Sequence, residues 1–383
     1  MSQTGVAAPT TRMAWPDVAK GLSILGVILL HVTLAVPEAE LSTLALANTM
    51  VDPLRMPLFF LISGLFATKI FRFSFLELFT RRLWFFLVPY LVWVPVEIYL
   101  KNREYLLVHG TPMPPAEDYL KALIFGANMA WFLYALVLFN IALWLTRKLP
   151  VPWAIAVSLL PAVALPLHLE VHMIGKAVLY LPIFFLGAYL RPVITRFADR
   201  AWTPACLAAT MSVYLVGLGV YIAWAHIADS TQMSIPWPLP GAATVGVPEI
   251  ELLVRLATQV LMLPAGITLA VLLARVPVLS QSLQYIGRNT LPVYLGHPIA
   301  LTLFYHFTQF RLQIPVTTDA DHWIASTEFW MAAAVVISLL GGVSFWALAR
   351  VPVLGWTIAP PPIHGLWARR QAPSVSGPAL VRR

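Results

Sequence analysis

The chain has 383 residues, 59% of them hydrophobic and only 11% charged, with a mean hydropathy of +0.78 and a net charge of +8. This composition excludes an ordinary soluble domain. The positive charge is dispersed around apolar runs, which excludes reading it as a nucleic-acid surface. What remains is an all-α, polytopic integral membrane protein. Its one cysteine, Cys206, excludes an intrachain disulfide.

Residues 1–13 read as a disordered N-terminal tail. Ten apolar runs follow, near 16–36, 54–72, 83–100, 122–146, 152–168, 174–190, 204–227, 250–274, 290–310 and 329–349. About 20 apolar residues suffice to span a bilayer as one helix. No long polar segment separates the runs, so 14–350 reads as one membrane-embedded domain. The run at 152–168 carries Pro152, Pro161 and Pro166 and is the least regular. Residues 351–383 form a tail rich in proline and arginine. The first run is too long for a signal peptide and lacks a small-residue cleavage site. No internal repeat of the kind common in transporters is visible.

Lysine and arginine set the orientation. With the N-terminus inside and ten spans, 18 of the 25 basic residues fall on the cytoplasmic side and 14 of the 17 acidic residues fall outside. Both termini are then cytoplasmic, and the expected location is a bacterial inner (plasma) membrane.

The first run carries Asp17, Lys20 and His31. Lys20 and His31 are eleven positions apart. On an α-helix this returns them to nearly one azimuth, about 16 Å apart along the axis. One face thus offers a cation near the cytoplasmic boundary and an imidazole in the outer half. Ionisable groups at such depth usually mark a site or a pathway. His31 reads as a general base for a hydroxyl. That role needs a neutral imidazole, and burial favours the uncharged form; a packed, hydrogen-bonded histidine is the plainer reading. Asp17 and Lys20 read either as interfacial anchors or as binders of an anionic donor. Arg81 and Arg82 lie on the same side. They either obey the positive-inside rule or bind phosphate with their planar forks.

Arg55 opens the second run at the outer mouth, and Ser63 and Gly64 suit close helix packing. Trp131 and Tyr134 belong to an aromatic belt or face a ligand. Tyr294 and His297 lie in a segment flanked by Pro292 and Pro298, which suggests a broken helix at a polar cavity. His168, Glu170 and His172 lack metal-site spacing, so neither a metal nor any other bound cofactor is expected.

Several stretches taken together resemble the acyltransferase-3 family of bacterial membrane O-acyltransferases. DVAKGLSILGVILLH resembles its first-helix signature, with Lys20 in the place of an arginine and His31 as the histidine. The lysine is similar to the subgroup of fucose O-acetylases. RMPLFFLISGLF, RRLWFFLVPYLVW, AWFLYALVLF and YIGRNTLPVYLGH resemble later family motifs in the same order. The family's second arginine after Arg81–Arg82 is replaced by Trp84 and Phe85. The resemblance implies an acyl-CoA donor, usually acetyl-CoA, and a hydroxyl acceptor on a cell-envelope glycan or glycolipid, with trehalose monomycolate as one example. It also implies donor binding by Asp17, Lys20, Arg81 and Arg82. Arg55, Ser63, Trp131, Tyr134, Tyr294 and His297 are then expected to face the acceptor or line a continuous polar tunnel past His31. The competing reading is a proton-coupled transporter or flippase that uses the intramembrane histidines and Lys20 as a relay. Oligomeric state is not legible in the sequence.

Overall fold

A computed structural model describes residues 13–238 and 244–363. Calls on the first twelve residues and on the arginines beyond residue 363 lie outside those described. Among the described residues, seven helical segments are long and apolar enough to cross a membrane. They are α1 (Trp15–Ala35), the segment Asp52–Arg72, the segment Phe75–His109, α9 (His172–Tyr189), α11 (Pro204–Ser230), α12 (Val247–Leu273) and α16 (Thr327–Leu348). Asp52–Arg72 comprises α3 (Asp52–Leu65) and a 3-10 turn. Phe75–His109 comprises α4 (Phe75–Leu78), a π turn at Phe79–Leu83 and α5 (Trp84–His109). The protein is an all-α, multi-pass membrane protein; two-residue strands at Ile235–Pro236 and Thr244–Val245 form a small antiparallel hairpin.

The other three apolar runs fold less regularly. The run at 122–146 divides into α6 (Ala116–Ile124) and α7 (Trp131–Leu145), because Gly126 takes a positive φ of 70° between them. The run at 152–168 holds α8 (Val151–Ser158) and then a 3-10 stretch, Leu160–Leu167, where Pro161 and Pro166 each lack an amide proton for an α-helical bond. The run at 290–310 follows α13 (Pro277–Arg288). It forms α14 (Thr290–Ala300), a π turn at Leu301–His306 and α15 (Phe307–Leu312). The expected break at Pro292 and Pro298 does not occur. Pro292 lies in the first turn, where its missing N–H costs nothing, and the irregularity after Pro298 is absorbed as a π turn. The segment 37–53 contains α2 (Thr43–Met50); α10 (Arg191–Arg200) follows α9.

Three glycine crossings hold the bundle together. A Cβ on Gly21 would collide with the carbonyl of Leu283, and one on Gly287 with that of Asp17, where α1 meets α13. Gly64 and Gly187 are reciprocal in the same way between α3 and α9, as are Gly296 and Gly341 between α14 and α16. In lipid there is little hydrophobic drive between helices, so close backbone approach at small residues supplies the packing. Residues 351–363 do not leave the bundle at once: Trp84 and Trp93 donate to Pro361 O (3.1 Å) and Thr357 Oγ1 (3.3 Å).

Candidate functional site

The crossings bring α1 and α14 together, and with them the two histidines. His31 Nδ1 lies 2.9 Å from His297 Nε2. The ring centroids are 5.0 Å apart with an interplanar angle of 24°. A face-to-face stack does not allow a 2.9 Å nitrogen–nitrogen contact, so the rings meet edge to edge in a hydrogen bond. His297 Nδ1 in turn lies 3.0 Å from the carbonyl of Val293, one turn back on its own helix. A carbonyl only accepts, so Nδ1 of neutral His297 carries the proton and Nε2 is left as an acceptor. His31 must then donate from Nδ1. Its Nε2 is the lone pair the chain leaves over. His297 is fully buried, whereas His31 keeps some accessible surface.

Around the pair, Tyr294 packs edge-on to His297 (5.7 Å) and donates to Met129 O at 2.7 Å. Arg55 pairs with Asp52, which also accepts from Arg255 at 3.1 Å. Its Nη1 is buried with no hydrogen-bond partner among the described residues.

Nearer the end that carries Lys20, a separate cavity of about 200 Å³ opens between α1, α3, α5, α7, α9 and α14. Lys20, Arg82, Ser63, Asn140 and Thr290 supply its polar lining. Lys20 Nζ lies 5.1 Å from the Phe66 ring centre, and Arg82, delivered by the π turn, donates to the Phe66 carbonyl. Ser63 donates to Phe59 O (2.8 Å) and Asn140 to Leu136 O (2.6 Å). Phe59 and Phe132 close the cavity. Their rings pack 5.6 Å apart, and Phe132 sits 3.7 Å from Tyr294.

The structure thus brings together Lys20, Arg82 and Ser63 around one cavity, and His31, Tyr294 and His297 around one hydrogen-bonded pair. Phe132, which lines the cavity, meets Tyr294, and Tyr294 meets His297, so one line of rings joins the cavity wall to the histidine pair. The other expected residues have these surroundings. Asp17 does not line the cavity. Its buried carboxylate accepts from Arg288 Nε at 3.0 Å, across the α1–α13 crossing. Arg81 points away, half-exposed, to Glu77 at 3.2 Å. Trp131 lies near Tyr180 (5.6 Å) and Lys176 (4.6 Å), and Tyr134 stacks on Tyr90 (5.5 Å). His168 lies 3.3 Å from Glu249, and no cluster of three metal-ligating side chains occurs among the described residues. Sequence reasoning missed Asn140 and Thr290. A lone asparagine inside WFLYALVLFNIALWL was a signal for the former; Thr290 carried none.

The family model described as "Acyltransferase domain" matches residues 13–350. The chain belongs to the acyltransferase-3 family. The match takes in every transmembrane segment, both histidines and the whole Lys20–Arg82 cavity, so the protein is a membrane acyltransferase. No curated protein and no solved structure is similar enough to match.

Proposed function

We propose that this acyltransferase moves an acyl group, acetyl in the simplest case, from a cytoplasmic acyl-CoA to a hydroxyl of a cell-envelope glycan or glycolipid. The acceptor sits at the outer face of a bacterial plasma membrane, and His31 is the general base. The observation that carries the reading is the chain Val293 O–His297–His31. It leaves His31 Nε2 as an unprotonated nitrogen on the more accessible ring of the two. His31 Nε2 takes the proton of the acceptor hydroxyl as its oxygen attacks the thioester carbonyl. The carbon–sulfur bond then breaks, and the CoA thiolate leaves with that proton. The imidazolium formed in between keeps Nδ1–H donating to His297, now as a stronger, charge-assisted bond. The spare N–H of Arg55 is suited to the developing oxyanion or to the acceptor.

On the donor side, Lys20 and Arg82 are cations at one cavity whose remaining wall is apolar and aromatic, a chemistry that fits a phosphate-bearing group with a narrow thioester arm. Ser63, Asn140 and Thr290 offer polar contacts along that arm. Membership in an acyltransferase family counts against the transporter reading of the same histidines.

The test is His31→Ala in purified protein. Acyl transfer from acetyl-CoA to a glycolipid acceptor should fall on the order of 10²–10⁴-fold, the usual worth of a general base, with acetyl-CoA binding unchanged. Near-wild-type turnover overturns the assignment.

A further inference from the structure

Seven basic residues lie on the side that the charge count assigns to the outside. Four of them have carboxylate partners. Arg55 and Arg255 share Asp52, Lys101 binds Glu104 and Lys121 binds Glu117. A fifth, Lys176, sits on the face of Trp131. Arg103 and Arg311 remain. Neither has a carboxylate within ion-pair distance among the described residues, and both line one groove of about 530 Å³ between α5 and the π turn and α15. Glu104, next in sequence to Arg103, does not answer it. Its carboxylate takes two 3.0 Å bonds from Lys101 and lies 3.3 Å from His306 Nδ1. Apart from Thr308, the remaining wall of the groove is apolar and aromatic, with Tyr99, Leu107, Phe307 and Phe310. Leu107 and Phe310 are exposed on the surface of a protein that sits in lipid.

We propose that this groove binds a phosphate-bearing anionic lipid, with its headgroup on Arg103 and Arg311 and its chain along Leu107, Phe307 and Phe310. A guanidinium group can contact a phosphate with two N–H groups, and two of them line this one groove. With no carboxylate partner for either among the described residues, an anion in the groove is favoured. A free, strongly hydrated anion has no use for four apolar side chains, whereas an acyl or prenyl chain covers them. The charge and the apolar wall therefore point to one amphipathic occupant. The groove shares no lining residue with the Lys20–Arg82 cavity, and neither His31 nor His297 lines it. It stands whether or not the donor and acceptor assignments above do.

The test uses the full-length protein, extracted in mild detergent and examined by native mass spectrometry after incubation with phosphatidylglycerol or phosphatidylcholine of the same chains. Wild type should retain phosphatidylglycerol in preference. R103Q/R311Q should lose that preference on the order of tenfold or more, the scale of losing charged hydrogen bonds. Lys121→Gln, a change to a paired surface cation, should leave it unaltered. The single variant Arg311→Gln alters an exposed side chain and preserves the test should the double variant fold poorly; it should show a partial loss. Inorganic phosphate should displace the lipid weakly, because it lacks the chain. Equal retention of both lipids by wild type, undiminished preference in the arginine variants, or displacement by phosphate as effective as by competing lipid each overturns the proposal.

Discussion

At the scale of single residues, the site turns on a division of labour between two like side chains. His297 fixes a tautomer and His31 presents the nitrogen that tautomer leaves bare. The division predicts an asymmetry between substitutions. His297→Gln retains a side-chain acceptor that His31 Nδ1–H can reach, and should keep a substantial fraction of turnover. His297→Leu removes the acceptor, frees His31 to flip to the other tautomer, and should lower turnover on the order of 10-fold or more with donor affinity intact. Nitrogen-15 NMR of labelled histidine should report Nδ1–H at His31 in the wild type and in the Gln variant, and a mixture in the Leu variant. Equal loss in both variants, with no change of tautomer, would show that His297 only packs. The presence of both histidines in the membrane was legible in the sequence from their apolar surroundings. Their partnership was not, because 266 residues separate them and only the helix crossings set the register. Asp17 shows the opposite lesson. Its position next to Lys20 suggested ligand binding, but Arg288 was waiting for it on α13.

At the scale of elements, the catalytic register depends on backbones in contact. His297 lies one residue after Gly296, whose crossing partner is Gly341 on α16, and Lys20 lies one residue before Gly21, which meets Leu283 on α13. A methyl at any of these glycines strikes main-chain atoms, which have no rotamer to move to. Gly341→Ala should therefore destabilise the protein by about 1–3 kcal/mol, as overpacking does, and should also shift α14 enough to weaken the His31–His297 bond. Gly219→Ala on α11 is the control. A Cβ there meets nothing within 4 Å. That change should be neutral or stabilising by up to about 1 kcal/mol, since glycine is the poorer helix former. Thermal unfolding in detergent alongside turnover checks both. A second element-scale contact lies outside the membrane. Glu38 accepts from the backbone N–H of Thr318 at 2.8 Å and from the Thr318 and Thr317 hydroxyls, which together hold its carboxyl below the usual range. A lowered native value means that the latch between these loops is fully present above the ordinary carboxylate range and is lost as pH falls below that range, through the lowered native value. Amide exchange at Thr318 should therefore quicken on acidification, and Glu38→Gln should remove that dependence. The apolar runs predicted most helices well. The π turns, which place Arg82 in the cavity and carry the chain past Pro298, left no periodic signal, because a single extra residue in a helical turn leaves the surrounding apolar pattern intact.

At the scale of the whole molecule, the two halves of the proposed reaction stand apart. Lys20 and Arg82 face a cavity toward one end of the bundle, and the histidine pair lies beyond Phe59, Phe132 and Tyr294. Charge asymmetry assigns the first to the cytoplasmic side. An acyl group delivered by acyl-CoA must then pass the three rings to meet a hydroxyl activated by His31. We propose that the rings act as a gate in that scheme and keep water from the thioester until an acceptor is in place. Rotation of one ring to another rotamer is a modest motion next to the movement of a helix, so Phe132 is the natural moving part. It lines the cavity, and its ring packs tilted against Tyr294 at 3.7 Å. Phe132→Ala should open the gate permanently. Hydrolysis of acetyl-CoA without acceptor should then rise several-fold in that variant, while transfer to the acceptor should rise less or fall. Arg82→Ala should instead weaken acetyl-CoA binding by about tenfold, the worth of a charged contact to phosphate, and leave acceptor affinity unchanged. Both variants, reconstituted in sealed vesicles, separate gate from donor site. With acetyl-CoA outside and acceptor confined within, wild type in the appropriate orientation should still transfer. If transfer occurs only when donor and acceptor share a compartment, the rings are ordinary core packing and His31 serves a one-sided site.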